Sequence, residues 1–200
     1  WNDASVSARG LIVDEGATFA LTDTRNVTVD ILGGAGTIDF GDDWSVANTM
    51  TVQGGDFTGT LTGAGRLIKT GDSRLTLGGS DFSDGEIQTQ GGELYITGSM
   101  QLHRLLITDG TVEVSDGSDL SADYLAGSGG NLTINGDLTL RQTEWDADTG
   151  RYVAYTGSLT GGGTLIKNGQ DEVVLGGDNG GYADDSNIMA GAVRAASRRA

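Results

Sequence analysis

The sequence predicts an all-β chain wound as a parallel β-helix and closed by a β-hairpin or β-sandwich-like cap near its C-terminus. Three observations carry this prediction. The 200 residues include 35 glycines but no proline and no cysteine, so the chain turns often without proline-fixed corners. Its apolar residues come in short clusters that suit strands better than helices. Finally, one 21-residue segment occurs twice.

Short strand-like pieces follow one another along the chain, each ended by a turn of Gly, Asp, Asn or Ser. In order they lie at 9–13, 17–22, 26–32, 36–40, 45–52, 57–62, 66–69, 73–77, 86–90, 93–97, 102–108, 111–115, 131–134, 137–141, 151–155, 164–167 and 172–175. A strand every 8–12 residues or so is compatible with a sandwich or a barrel and also with a parallel β-helix.

The repeat favours the β-helix. Segment 59–79 (GTLTGAGRLIKTGDSRLTLGG) returns as 157–177 (GSLTGGGTLIKNGQDEVVLGG), with 12 of the 21 positions identical. The retained residues are mainly glycines, leucines and a Leu-Ile-Lys triplet, so the repeat preserves geometry rather than reactive groups. A separation of 98 residues corresponds to about four or five coils of roughly 20–25 residues each. Stacked coils share a core that no single coil buries alone.

Within the repeated segment we expect leucines to point inward and to stack on the leucines of neighbouring coils. The predicted core ladder consists of Leu61, Leu67, Leu77, Leu159, Leu165 and Leu175. The lysines of the triplets, Lys69 and Lys167, are expected on the solvent face, where a charged side chain stays hydrated. The glycines are expected at corners that need a positive φ or close approach of two backbones.

The last coil of a β-helix exposes an apolar floor and unpaired strand edges, so a cap is expected. We expect β-helix coils over 1–79, a closing region over 80–180 and a linker over 181–200. The polar loop 143–150 would join two arms of a hairpin at 138–141 and 151–155. In the linker, small residues surround Arg198 and Arg199, and this dibasic pair is a candidate site of proteolytic processing.

Charge and motifs exclude several functional classes. A formal net charge of −16 argues against nucleic-acid binding, which depends on clustered Lys and Arg. His103, the only histidine, lacks any recognisable nucleophile motif around it and is expected to have a structural or surface role. The stretch from Asp146 to Gly150 starts like a calcium loop but lacks its third acid and its glycine. No catalytic, cofactor or metal site is therefore expected. Trp145 in the polar loop is a candidate anchor for a partner, since Trp is enriched at interface hot spots, but the favoured expectation is that it folds over the open end as part of the cap.

The segments 63–79 (GAGRLIKTGDSRLTLGG) and 161–177 (GGGTLIKNGQDEVVLGG) resemble the passenger domains of bacterial type V autotransporters of the pertactin-like class. The resemblance implies a right-handed parallel β-helix and an autochaperone region at 80–180 whose folding drives secretion. It also implies an outer-membrane surface location, with release into the medium after cleavage. The implied partners are the protein's own translocator β-barrel, the upstream passenger coils and an omptin-type protease acting at Arg198 and Arg199.

The ending AASRRA (195–200) resembles a virulence member of this class that recruits host actin-nucleating factors, although the glycine-rich repeats implicated in that recruitment are not in this segment. Host protein partners would then act through the full-length passenger, and self-association stays open. Two alternatives are an adhesin whose solenoid surface binds a partner and a β-helical polysaccharide-active enzyme. The enzyme is disfavoured because a strongly acidic surface repels acidic sugars.

Overall fold

The structure, a computed structural model, describes residues 5–21, 26–43, 48–183 and 186–195. These residues form 21 strands and no helix. Accordingly, no helix long and apolar enough to cross a membrane occurs among them. Ten strands stack side by side in one path through the main sheet, and the chain makes about nine turns of a parallel β-solenoid. The prediction of an all-β parallel solenoid is thus confirmed.

The strands have the following bounds: β1 Ser5–Val13, β2 Thr18–Ala20, β3 Asn26–Gly34, β4 Thr37–Asp39, β5 Asn48–Phe57, β6 Thr60–Thr62, β7 Gly65–Lys69, β8 Arg74–Leu77, β9 Ser80–Ile96, β10 Ser99–Val114, β11 Asp119–Ala126, β12 Asn131–Ile134, β13 Asp137–Thr143, β14 Trp145–Asp146, β15 Arg151–Tyr152, β16 Ser158–Gly161, β17 Thr164–Lys167, β18 Glu172–Leu175, β19 Gly181–Tyr182, β20 Ser186–Ile188 and β21 Ala192–Ala195.

Parallel, in-register pairing sets the core. In one inward row, Val27 pairs with Met50, and the row continues through Leu67, Ile87 and Leu105. Each of these side chains is fully or almost fully buried. Because alternate residues of a strand point to opposite faces, fixing one member of the row fixes the inward set of its whole strand.

The cross-section of the solenoid changes at Ser80. Before this residue a third sheet, β2-β4-β6, closes each coil. At Ser80 a side chain replaces the next strand of this sheet as the hydrogen-bonding partner. Its hydroxyl accepts a hydrogen bond from the Leu61 amide at 3.1 Å and donates one to the Gly59 carbonyl at 3.4 Å. The chain then runs into two long strands, β9 and β10, that pair with each other over most of their length. Parallel stacking continues across residue 79, where we placed the first domain boundary.

Several elements differ from those expected. β11, over Asp119–Ala126, and β16, over Ser158–Gly161, were not predicted. The antiparallel hairpin pairs only β14 with β15, because its expected first arm, 138–141, lies within β13 and pairs in parallel with β11 and β17. β19, β20 and β21 lie in the expected linker, yet they pair in parallel with β16, β17 and β18. Residues 186–195 therefore continue the solenoid as far as they are described, because their strands find partners in the preceding coil.

Candidate functional site

The structure corrects the prediction that Lys69 points to solvent. Lys69 lies two residues after the inward Leu67 and shares its face, and its side chain is fully buried. The Nζ atom donates to the carbonyl oxygens of Thr70, Gly71 and Gly91 at 2.7, 3.1 and 3.1 Å. Gly71 has a φ of +66°, which turns the corner so that the carbonyls face the ammonium group. The lysine thus joins its own corner to that of the next coil.

Lys167 makes the same arrangement in the second copy and corrects the matching prediction. It is also fully buried, and its Nζ atom donates to the carbonyl oxygens of Asn168, Gly169 and Ala190 at 3.1, 2.8 and 3.3 Å. Gly169, with a φ of +95°, is the counterpart of the first corner glycine. The Leu-Ile-Lys-x-Gly sequence is therefore repeated because it builds a corner clamp, by which we mean a buried lysine bonded to carbonyls of two successive coils.

Burial disfavours the charged form of both clamp lysines and lowers their pKa below the ordinary value. The negative charge of Asp72 opposes this pKa shift at Lys69. At Lys167 the charge of Asp171 opposes the shift, whereas that of Arg141 adds to it. Hydrogen bonds to three carbonyl dipoles are what make a buried ammonium group tolerable here.

The six leucines predicted as a ladder lie in the core and have at most 7% of their surface exposed. Leu67 stacks between Met50 and Ile87, and Leu165 stacks on Leu138. The isoleucines of the triplets, Ile68 and Ile166, take the outward positions that we had given to the lysines.

A chain of ion pairs crosses the outer face next to the core. The side chain of Glu86 is only 6% exposed. Its Oε1 lies 2.8 Å from Arg66 Nε, and its Oε2 lies 2.9 Å from Arg104 Nη1. Arg104 Nη2 reaches on to Glu144 Oε2 at 2.8 Å. Burial alone would lower the pKa of Arg104, but its hydrogen bonds and charge pairing with Glu86 and Glu144 outweigh burial and raise it. Arg104 therefore stays charged and holds Glu144 in place.

An open groove of about 530 Å³ lies beside this ion-pair chain, and we call it the hairpin groove. The strands of the solenoid contribute His103, Arg104, Tyr124 and Gln142 to its lining. The hairpin region and a later loop contribute Glu144, Trp145, Tyr152 and Asp171.

Register explains why the strand residues of the groove meet. Arg104 pairs with Tyr124, and Tyr124 pairs with Gln142, so the three stand in one row across β10, β11 and β13. Neighbouring strands are about 4.8 Å apart, so the row spans about 10 Å. The hairpin then rises at one end of the row. Arg104, Tyr124 and Gln142 therefore line one surface because the two coils that separate them have similar lengths.

The hairpin supplies an aromatic wall. The Trp145 and Tyr152 rings pack edge to face with centroids 4.9 Å apart. The Tyr152 hydroxyl donates to Asp171 Oδ1 at 2.6 Å, and this hydrogen bond is the main cause that raises the pKa of Tyr152 to about 12. Trp145 remains 48% exposed and lines the side of the solenoid. The expectation that Trp145 folds over the open end is therefore wrong, because pairing with Tyr152 holds the ring beside the groove.

The remaining sequence candidates have structural surroundings. His103 Nδ1 lies 3.6 Å from Asp123 Oδ2, and its ring packs on Tyr124 with centroids 5.0 Å apart. The Asp146 carboxylate accepts hydrogen bonds within its own turn, from the amides of Asp148 and Thr149 and from the Thr149 hydroxyl. These hydrogen bonds, that of the Thr149 hydroxyl first, lower the pKa of Asp146.

Among the described residues, no group of three or more His, Cys, Asp or Glu is placed to hold a metal ion. The candidate processing residues Arg198 and Arg199 lie outside the described residues.

Sequence reasoning missed most of the groove. Tyr124, Gln142, Glu144 and Asp171 carried no motif, and β11 itself was not predicted. The one available signal was Trp145 in a polar loop, which we had considered as an anchor for a partner.

Comparison with known proteins shows what kind of protein the chain resembles. It is 34% identical over 117 residues to the Adhesin BmaC autotransporter of Brucella suis biovar 1 (strain 1330). The match covers 56% of this chain but only 3% of that much longer protein. No family model matches the chain, and no solved structure matches it significantly. The similarity, together with the parallel β-solenoid, fits the passenger of an autotransporter.

Proposed function

We propose that this chain is a non-enzymatic part of an autotransporter passenger and that its C-terminal coils act as an autochaperone, folding first and templating the coils before them. The observation that carries the proposal is a connected set of side-chain hydrogen bonds between coils in the region 131–182. The similarity to an adhesin autotransporter and the solenoid fold are consistent with a role that involves no catalysis.

A network of polar side chains joins β12 to β16. The Asn131 amide donates to Thr133 Oγ1 at 2.8 Å and to Thr160 Oγ1 at 3.2 Å. The Ser158 hydroxyl donates to Asn131 Oδ1 at 2.8 Å, and the two threonine hydroxyls lie 3.0 Å apart. Hydrogen bonds that polarise one another in such a network fix two strands against each other beyond their backbone ladder.

Further side chains connect the coils that follow. The Tyr182 hydroxyl accepts from the Leu165 amide at 2.8 Å and donates to the Gly163 carbonyl at 2.9 Å. The Lys167 corner clamp lies in the same region, as does the bond from Tyr152 to Asp171. Each of these side-chain contacts joins residues after 130, so all of them lie within the last described coils.

The proposed mechanism is energetic. By resemblance, the passenger leaves the cell C-terminus first, so these coils emerge before the others. Once they are folded, each following coil gains a stacking surface and orders its backbone against an existing template, which offsets its loss of conformational entropy. Folding outside the cell then disfavours backward movement of the chain.

Refolding kinetics of the full chain test the proposal. The variant Asn131→Ala removes the centre of the C-terminal network and is expected to slow refolding. A matched control is Gln53→Ala, which removes a cross-coil bond of 2.7 Å from the Gln53 amide to Asp30 near the other end. That variant should leave the refolding rate unchanged and speed unfolding. The opposite pattern would contradict C-terminal nucleation.

Secretion gives a second test. Deleting 80–180 from the full-length protein is expected to leave its passenger degraded or stalled in the periplasm. Normal surface display of a folded passenger after this deletion would contradict the autochaperone proposal. Protease accessibility on intact cells distinguishes the two results.

Release from the surface remains a separate proposal. Arg198 and Arg199 would form a dibasic bond that an omptin-type outer-membrane protease cuts, with the translocator β-barrel left in the membrane. Replacing both arginines by Asp should keep the passenger cell-attached. Unchanged release at the same mass would rule out this site. Recruitment of host actin-nucleating factors, other host partners and self-association would belong to the full-length passenger, and they rest on resemblance alone.

A further inference from the structure

We propose that the hairpin groove is a binding site for a short neutral oligosaccharide. This inference goes beyond the autochaperone role and does not depend on it, since a folded chain presents the groove whatever its folding order. The groove volume of about 530 Å³ falls in the range of roughly 300–1,000 Å³ that is common for small-molecule sites.

Two pairs of rings give the groove its apolar surface. On the strand side His103 packs on Tyr124, and on the hairpin side Trp145 packs on Tyr152. The rings in each pair are inclined to one another at 59° and 67°, so each contact covers about one face of one ring and leaves the other ring faces uncovered by the partner ring. The C–H face of a sugar ring is apolar and weakly positive, and it packs well against the electron-rich face of an aromatic ring.

The charges in the groove are already paired inside the protein. Arg104 is engaged by Glu86 and Glu144, and Asp171 accepts the Tyr152 hydroxyl. An ionic ligand would have to compete with these contacts. In addition, the net charge of −16 on the chain repels anionic ligands, including acidic sugars. The electrostatics therefore favour an uncharged ligand.

Several polar groups in the lining are left for a ligand with hydroxyl groups. Among the described residues, no side-chain hydrogen bond engages the Gln142 amide, the Trp145 indole N–H or the Tyr124 hydroxyl. The carboxylate of Glu144, held in place by Arg104, adds acceptor capacity next to them. A few fixed polar groups among aromatic surfaces are the usual means by which a site orients an uncharged polar ligand. Hydroxyls at several positions of a sugar ring match this arrangement.

The first experiment uses the purified full chain on a glycan array that displays neutral and acidic glycans, with a lysine-rich peptide as a cationic probe. We expect retention of neutral glycans. Calorimetry with the best retained neutral oligosaccharide should then give a dissociation constant on the order of 0.1–1 mM. This corresponds to a modest binding free energy, as expected for a site that is open to solvent.

Variants locate the site. Trp145→Ala and Gln142→Ala should each weaken binding by about tenfold or more, because one removes a ring face and the other a hydrogen-bonding group. Val153→Ala is the matched control: Val153 is 47% exposed on the hairpin side but does not line the groove, so affinity should be unchanged. Since Gln142 lies outside the hairpin, its variant tests the site even if Trp145→Ala disturbs the hairpin. Circular dichroism verifies that each variant is folded.

Three outcomes would overturn the proposal. Retention of no neutral glycan on the array would exclude the ligand class. Preferred retention of acidic glycans or of the cationic peptide would assign the groove to a different ligand. Neutral-glycan binding that survives both groove substitutions would place the ligand elsewhere on the solenoid. Each measurement is made on folded, purified protein, so a failed secretion or refolding test would leave these results unaffected.

Discussion

Lys69 and Lys167 lie 98 residues apart in the chain and make the same contacts: each buried ammonium group bonds two carbonyls of its own corner and one of the next coil. In both cases the corner glycine has a positive φ. The identity of the two repeats is thus explained by a hydrogen-bonding geometry that needs a long cationic side chain and a glycine two residues later.

The corner clamp should contribute strongly to stability. Lys69→Met and Lys167→Met each leave three carbonyl oxygens without their donor, and each is expected to lower the free energy of unfolding by about 2–4 kcal/mol. Denaturant titration of the full chain measures this change. Arg9→Met, which removes a positive charge from the exposed face of β1, serves as the control and should change stability by no more than about 0.5 kcal/mol. Equal losses in clamp and control variants would contradict the clamp.

A charged residue in the inward row should strongly destabilise the fold. Leu67→Asp and Leu165→Asp would bury a carboxylate without a partner and cost several kcal/mol, on the order of 3–5 kcal/mol. Ile68→Thr and Ile166→Thr change the outward neighbours and should cost less than about 1 kcal/mol. Thermal unfolding compares the two sets. Similar losses at both would show that the inward and outward faces had been interchanged.

Tyr155 offers a stabilising change. Its side chain is fully buried, and its hydroxyl has no hydrogen-bond partner among the described residues. Burial raises the pKa of this hydroxyl. Tyr155→Phe removes an unsatisfied polar group while keeping the ring, so we expect stability to rise by about 1 kcal/mol. A clear loss of stability on denaturant unfolding would mean that the hydroxyl is bonded in solution.

Tyr152 should titrate late. Its pKa of about 12 lies above the ordinary value of 10.0 because the folded chain stabilises the protonated hydroxyl through Asp171. The folded state therefore holds a proton that the unfolded state loses, and stability falls as the pH rises from about 10 through 12. Ultraviolet titration of phenolate formation should show this residue ionising late, and Tyr152→Phe should remove that step. Asp171→Asn should shift the step to lower pH; an unchanged curve in both variants would contradict the contact.

The solenoid could be predicted from sequence because its signals are local. Leu67 and Leu165 occupy the same position in the two copies of the repeated segment, and strand alternation is enough to point them inward. The same alternation puts Lys69 on the inward face of the strand with Leu67, but the general preference of lysine for water led to the prediction that it points to solvent. Only the turned corner, with its carbonyls converging on one point, makes the buried position favourable.

The hairpin groove could not be predicted because its residues are brought together by coil length and register. Tyr124 lies in β11, whose sequence DLSADYLA has no β-branched residue and gave no strand signal. Asp171 follows Gln142 by 29 residues and reaches the groove only after another turn of the solenoid. A shift of one residue in any coil between them would move these side chains to different faces.

The two clamp lysines are the only lysines in the sequence, and both are enclosed. Reagents that acylate primary amines should consequently spare both ε-amino groups in the folded chain and modify them once the corners open. The degree of acylation at these two positions would then report the fraction of chains whose corners are folded. Because one lysine lies in each repeat, a short acylation pulse during refolding, followed by mass spectrometry of the two peptides, would also show which of the two corners closes first.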